Sequence, residues 1–240
     1  MKRTIRCLLP SLALLATVSC ATLYDTEALQ SVGNVAVISI QAHRNVVVEG
    51  DDDLATAARG WARGDSLDLV PAAERVRSDL FGRLESPLPF TLAAELSLLA
   101  SEAYQGLGAD GIELLSPRQA AVPPGYLAVP PAKRNVVKEL IARFPDVDGF
   151  LWAEVSYTIV VKNVFMGTLF ATMRADLTIT VVDRSARTIL RHMESAEDPT
   201  EMKIPVVSVL KTSEVAAAAL RATGRAGTDM ASWLEARSAR

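Results

Sequence analysis

Two stretches of strict alternation dominate the chain. From residue 151 to 161 every odd position is apolar: Leu151, Ala153, Val155, Tyr157, Ile159 and Val161. From 169 to 181 the same holds: Leu169, Ala171, Met173, Ala175, Leu177, Ile179 and Val181. Side chains on a strand alternate between faces, so a period of two predicts two strands with one buried face. Residues 163–167 between them predict a hairpin. Asp183-Arg184-Ser185-Ala186 predicts a turn into a third strand at 188–194, completing an antiparallel meander. The even positions hold Trp152, Glu154, Ser156 and Thr158 on one strand and Phe170, Thr172, Arg174, Asp176, Thr178 and Thr180 on the other. That mixture is too polar for a dry core. Trp152, Phe170 and Arg174 are the candidates for a partner-binding face, since aromatic anchors within a polar rim are what a binding surface offers. Opposite charges favour a register with Glu154 across from Arg174 and Thr158 across from Phe170.

Elsewhere the pattern alternates between strand and helix. Residues 34–41 are rich in β-branched side chains and predict a buried strand, which 45–48 extend. Ala73, Val76, Leu80, Phe81 and Leu84 share one helical face, and Pro87 and Pro89 stop that helix. A second helix is expected over 92–107 with Thr91 as N-cap, then a strand at 111–115. Six prolines and glycines between Pro117 and Pro131 mark a stiff loop. A third helix covers 132–144 and ends at Pro145. A last one covers 213–236, with Val215, Ala219, Ala222, Ala226, Met230 and Leu234 on one face. Gly224 and Gly227 weaken it by about 1 kcal/mol each relative to alanine. The expected class is α/β (α+β): a single mixed sheet with a C-terminal antiparallel meander, covered by helices.

The first nineteen residues do not belong to this pattern. Lys2, Arg3 and Arg6 form a basic region ahead of an apolar run from Cys7 to Ser19. This is the organisation of a secretory signal, too short for a membrane span. It ends in Leu14-Leu15-Ala16-Thr17-Val18-Ser19-Cys20, which resembles a bacterial lipobox, with Thr17 where leucine is commoner. The resemblance implies a diacylglycerol thioether on Cys20, cleavage before it and acylation of the new amino group. Several acyl chains hold a protein to a bilayer, each buried methylene contributing about 0.8 kcal/mol. Ala21, rather than Asp, after the cysteine implies passage to the outer membrane. The expected organisation is a signal at 1–19, a lipidated tether at 20–33 and one globular domain at 34–240.

Composition narrows the chemistry. Half of the 240 residues are hydrophobic and 22 % are charged, which suits one core of ordinary size. Removing the three basic residues of the signal leaves 22 basic against 28 acidic side chains. An acidic chain argues against general nucleic-acid binding. Cys7 leaves with the signal and Cys20 takes the lipid, so the expected mature chain has no thiol for a disulfide, metal site or nucleophile. His43 and His192 are the only histidines, and neither has a second histidine at ligand spacing. His192 is expected on the surface. Asp51-Asp52-Asp53, in an expected acidic loop at 50–66, lacks the spacing of an EF-hand. There is no Gly-x-Ser-x-Gly elbow, phosphate loop or dinucleotide fingerprint. Glu154 and Asp176 could be paired carboxylates, with a cross-strand ion pair to Arg174 as the plainer reading. Tyr104 and Tyr126 are expected as packing residues with satisfied hydroxyls. No catalytic residue, metal ligand or cofactor is assigned.

The chain also resembles a family of uncharacterised bacterial lipoproteins. The matching residues are Val35-Ala36-Val37-Ile38-Ser39-Ile40, Leu88-Pro89-Phe90-Thr91-Leu92, Ser101-Glu102-Ala103-Tyr104, Pro124-Gly125-Tyr126 and Val147-Asp148-Gly149-Phe150-Leu151, then the hairpin. Its element order is similar to that of the curli-secretion lipoprotein, the lipoprotein activators of peptidoglycan synthases and the N-terminal domain of the Tol periplasmic protein. That likeness implies partner binding rather than catalysis, and no residue role is carried over. The expected function is a lipid-anchored binding or accessory protein of the cell envelope, outer membrane and facing the periplasm. It would use a protein partner and the membrane, no nucleic acid and no cofactor. The alternatives are an oligomeric export or pore component, whose feature would be the apolar hairpin tip, and an envelope hydrolase.

Overall fold

The structure, a computed structural model, describes residues 22–50, 67–109, 112–131, 134–205 and 211–238. The signal, Cys20 and the acidic segment 51–66 lie outside these residues.

The first elements are strand β1 (Leu23–Tyr24), helix α1 (Thr26–Ser31) and strands β2 (Asn34–His43) and β3 (Val47–Glu49). Helix α2 (Val70–Asp79) continues into a π-helical turn, Leu80–Leu84. Strand β4 (Thr91–Leu92), helices α3 (Glu95–Ala100) and α4 (Glu102–Gln105), strand β5 (Ala120–Ala121) and helix α5 (Arg134–Arg143) follow. Strands β6 (Gly149–Phe165), β7 (Thr168–Asp183), β8 (Thr188–Glu197) and β9 (Met202–Pro205) lead to the long helix α6 (Thr212–Ser238). The strands form one mixed sheet in the order β1-β8-β7-β6-β2-β4, with β2 parallel to β6 and the meander antiparallel. The expected fold class is therefore the observed one.

The odd face of the hairpin is the dry one. Leu151, Ala153, Val155, Tyr157, Ile159 and all seven odd residues of β7 from Leu169 to Val181 are buried. Helix α6 packs against this face, and the Tyr157 hydroxyl meets Thr223 Oγ1 at 2.9 Å. Helix α2 packs beside α6.

Three local expectations change. The 92–107 helix is broken at Ser101, whose extended backbone (ψ 139) ends α3 while its hydroxyl oxygen accepts the Tyr104 N–H to start α4. Residues 112–115 form no strand; Leu115 makes one backbone bond, to Ala128. The tether ends sooner than expected: β1 pairs with Leu190 and Arg191, and Leu29 of α1 is fully buried. Apolar residues at 23, 28, 29 and 32 are too few for a period to show, but enough to dock.

Helix α6 also explains its glycines. A Cβ added at Gly227 would fall inside the contact radius of Asp79 Oδ2 and 3.1 Å from its Cγ. At Gly224 the nearest atoms, the Arg75 guanidinium, stand 3.5 Å away, an ordinary contact. The two sites should respond with opposite signs. Gly224→Ala should stabilise by about 0.4–1 kcal/mol through helix propensity. Gly227→Ala should destabilise, because overpacking typically costs about 1–3 kcal/mol and exceeds that gain. Urea melts of the two variants check this; a shared sign would mean Asp79 can move aside.

Acid sensitivity follows from three carboxylates. Arg77, then the Tyr126 hydroxyl, hold Glu95 below the usual range against the opposing effect of burial. Lys162 and Thr172 do the same for Glu197. Burial alone would raise Asp198, but Arg221 and the Thr200 N–H outweigh it and leave it lowered. A lowered folded value means stability present above the unfolded carboxylate range, about pH 4, and lost as pH falls through the folded values. The melting temperature should therefore fall on acidification below about pH 4–5, and less steeply in Asp198→Asn. A flat profile down to pH 3 would count against these pairs.

Candidate functional site

The expected docking residues do not share an exposed face. Trp152 is fully buried. Its register partner on β2 is Ser39, whose hydroxyl donates to the Leu127 carbonyl at 2.8 Å and accepts the Val129 N–H at 3.2 Å. The proline-rich loop thus lies over this half of the even face. Tyr104 fastens the same layer: its hydroxyl donates to the Ile38 carbonyl and accepts the Leu127 N–H, both at 2.9 Å. Ile38 is the extra residue at a bulge between Val37 and Ser39, which frees that carbonyl. The expectation for Tyr104 and Tyr126 holds, the Tyr126 hydroxyl donating to Glu95 Oε1 at 2.8 Å.

The distal half of the even face is polar and internally neutralised. Arg174 is half-buried, 2.9 Å from Glu49 Oε2 on β3 and 3.6 Å from Asp176 Oδ1. The Ser195 hydroxyl donates to Asp176 at 2.6 Å. Lys162 and Thr172 both reach Glu197 Oε1, at 2.7 and 2.6 Å. Glu154 faces Thr178 rather than Arg174 and meets His43 Nε2 at 3.3 Å. Asp176 faces Ser156, so Glu154 and Asp176 are diagonal rather than direct cross-strand neighbours. Phe170 is half-buried opposite Asn163 and Lys203. His192, expected on the surface, is buried and stacked on Trp233 with ring centroids 3.6 Å apart. It meets Thr22 Oγ1 at 3.1 Å and Glu194 Oε1 at 2.6 Å. Tyr24 meets Trp233 edge-on and Arg237 lies over both rings, so the N-terminal segment is clasped by the end of α6.

The expected register fails for a geometric reason. The hairpin closes on a two-residue turn, Met166-Gly167, with φ 48° and 73°, the left-handed pair of a type I′ turn. That turn pairs Phe165 with Thr168. A bulge between Val161 and Asn163 then restores odd-to-odd facing, and Thr158 falls opposite Arg174. Turn and bulge set the register, and one cross-strand ion pair is too weak to compete.

Leu23, Val47, Leu96 and Leu220 are exposed singly, whereas at the tip three consecutive large apolar residues among the described ones stay exposed. Val164 is 39 % exposed, Phe165 62 % and Met166 89 %. Ile159 and Leu169, apolar residues of the flanking strands, are buried by contrast. Met166 is unusual twice over. A non-glycine residue at positive φ is uncommon, and type I′ turns favour Asn, Asp or Gly there. Such strain costs on the order of 1–3 kcal/mol and clusters at functional sites.

Among the described residues no group of three His, Cys, Asp or Glu could hold a metal ion, and no helix is long and apolar enough to cross a membrane. Neither a protein-family model nor a curated protein sequence matches the chain. Among solved structures it is similar to the hypothetical protein CT253 from Chlamydia trachomatis, at 13 % identity and a TM-score of 0.37 over 86 % of this chain and 97 % of that one, a likeness too low to carry an argument about function.

Proposed function

We propose that the protein is a lipid-anchored accessory protein of the bacterial cell envelope, without catalytic activity, that presents its hairpin tip to a partner protein. The observation that carries this reading is Met166: an exposed methionine kept at a strained turn position, beside exposed Phe165. Rigid, apolar and adaptable side chains of this kind suit docking.

The placement of the two ends supports it. Strand β1, which begins three residues after Cys20, pairs with Leu190 and Arg191, which face Val181 and Thr180 near the end of β7. The tip lies at the start of β7, twelve residues away, or about 40 Å at strand rise. A chain held at Cys20 in a bilayer would therefore carry the tip well clear of that bilayer. The pore alternative is less well supported, because a membrane strand needs about 9–11 residues and the exposed apolar stretch is Val164 to Met166.

The test uses a photocrosslinker at the tip in cells. Met166→Asn suits the positive φ, so it should raise stability by up to about 1 kcal/mol while weakening capture of the partner. Phe165→Asp should abolish capture with an unchanged melting temperature. Unfolding of Phe165→Asp, or capture by both variants at the wild-type level, would overturn the docking role. Cys20→Ser should leave the detergent phase; persistence there like wild type would overturn the anchor.

A further inference from the structure

We propose that the basin between α2 and α6 is a binding site for a phosphate group. The basin holds about 700 Å3 and is lined by Arg75, Arg221 and Arg225, with Asp198, Thr200 and Asp229 at its sides.

Two of the three guanidinium groups are held from behind by buried carboxylates. Arg75 Nε donates to Asp79 Oδ2 at 3.1 Å, and Asp79 is 4 % exposed. Arg221 Nε and Nη2 both reach Asp198 Oδ2 at 2.8 Å, and Asp198 is 1 % exposed. Arg83 Nη2 meets the other oxygen of Asp79 at 3.0 Å, so that carboxylate is matched twice. Gly227 admits Asp79 to the surface of α6. The helix thus carries a costly glycine at the point where this pair is seated.

The arginines keep donors to spare. Both Nη groups of Arg75 and Nη1 of Arg221 make no hydrogen bond among the described residues. Arg225, one turn after Arg221, is exposed and has no ion pair among the described residues. Four guanidinium groups here face three carboxylates, so the cluster is positive in an acidic chain. Buried ion pairs are weak sources of stability. Their consequence here is orientation: side chains that would otherwise sample many rotamers are aimed at one basin. Several guanidinium forks converging on a concavity fit a tetrahedral oxyanion, which accepts such donors on several edges. The phosphate could belong to a soluble ester or to a lipid headgroup. Arg237, at the end of α6 that meets Tyr24, lies twelve residues beyond Arg225, about 18 Å along the helix.

Isothermal titration of the full chain with sodium phosphate, against sodium chloride at equal ionic strength, tests the site. One phosphate should bind to the wild type. Arg225→Gln, at an exposed and unpaired position, should bind about tenfold or more weakly with unchanged melting, and Arg75→Gln should weaken likewise. Arg118→Gln, exposed and outside the basin, should bind as wild type. Displacement of phosphate by short-chain phosphatidylglycerol, but not by the phosphatidylcholine analogue, would place the group on a lipid. Displacement by glycerol phosphate alone would place it on a soluble ester. No binding by the wild type, or equal binding by Arg225→Gln, overturns the site.

Discussion

Trp152→Ala should lower stability by about 3–5 kcal/mol, the range for emptying a large aromatic from a packed interior. Trp152 is fully buried between the sheet and the layer that Ser39 and Tyr104 fasten over it. Its indole N–H has no hydrogen-bond partner among the described residues, nor has the Oε1 of the neighbouring Gln41. Trp152→Phe should therefore cost far less than alanine, since it keeps most of the ring contact and removes a donor that is not used. Both values come from urea melts. A Trp152→Ala chain within about 1 kcal/mol of wild type would mean that the covering layer opens readily, and would return Trp152 to the exposed face.

The second large effect belongs to the opposite face. Leu177 is 1 % exposed under α6, so Leu177→Ala should cost roughly 2–5 kcal/mol. Thr178, the next residue, points to the other face, where it lies half-buried opposite Met193 and Glu154. Thr178→Ala should stay within about 1 kcal/mol. The contrast is sharper than either value, because a one-residue slip of register would exchange them. Equal losses in the two melts would rule out this strand orientation.

These two residues mark where local pattern suffices and where it does not. Leu177 was legible because strand alternation is a property of neighbouring residues: a period of two over eleven or more positions has few other solutions. The fold class follows from the same kind of signal, and so does the end of most elements at a proline or a turn residue. The apolar run through Val164, Phe165 and Met166 was equally visible in the chain. That only its tip stays in solvent depends on β9 and β3 flanking the hairpin below it.

Trp152 reads from the sequence like its neighbours Glu154, half-buried, and Ser156, exposed, because cover for the even face comes from residues 127–129, some twenty positions upstream. No local period records that approach. The register likewise rests on a turn and a bulge, each worth one residue of offset, and composition cannot count such offsets. His192 and Trp233 lie forty-one positions apart and stack only because α6 returns along β8. The arginine basin is the same case. Arg75, Arg221 and Arg225 look like ordinary solvated helix charges, and Gly227 like a flaw, until Asp79 is seen seated against α6. Alternation and capping are short-range and so are written in consecutive residues, whereas burial of a polar face and convergence of charges need segments far apart in the chain to meet.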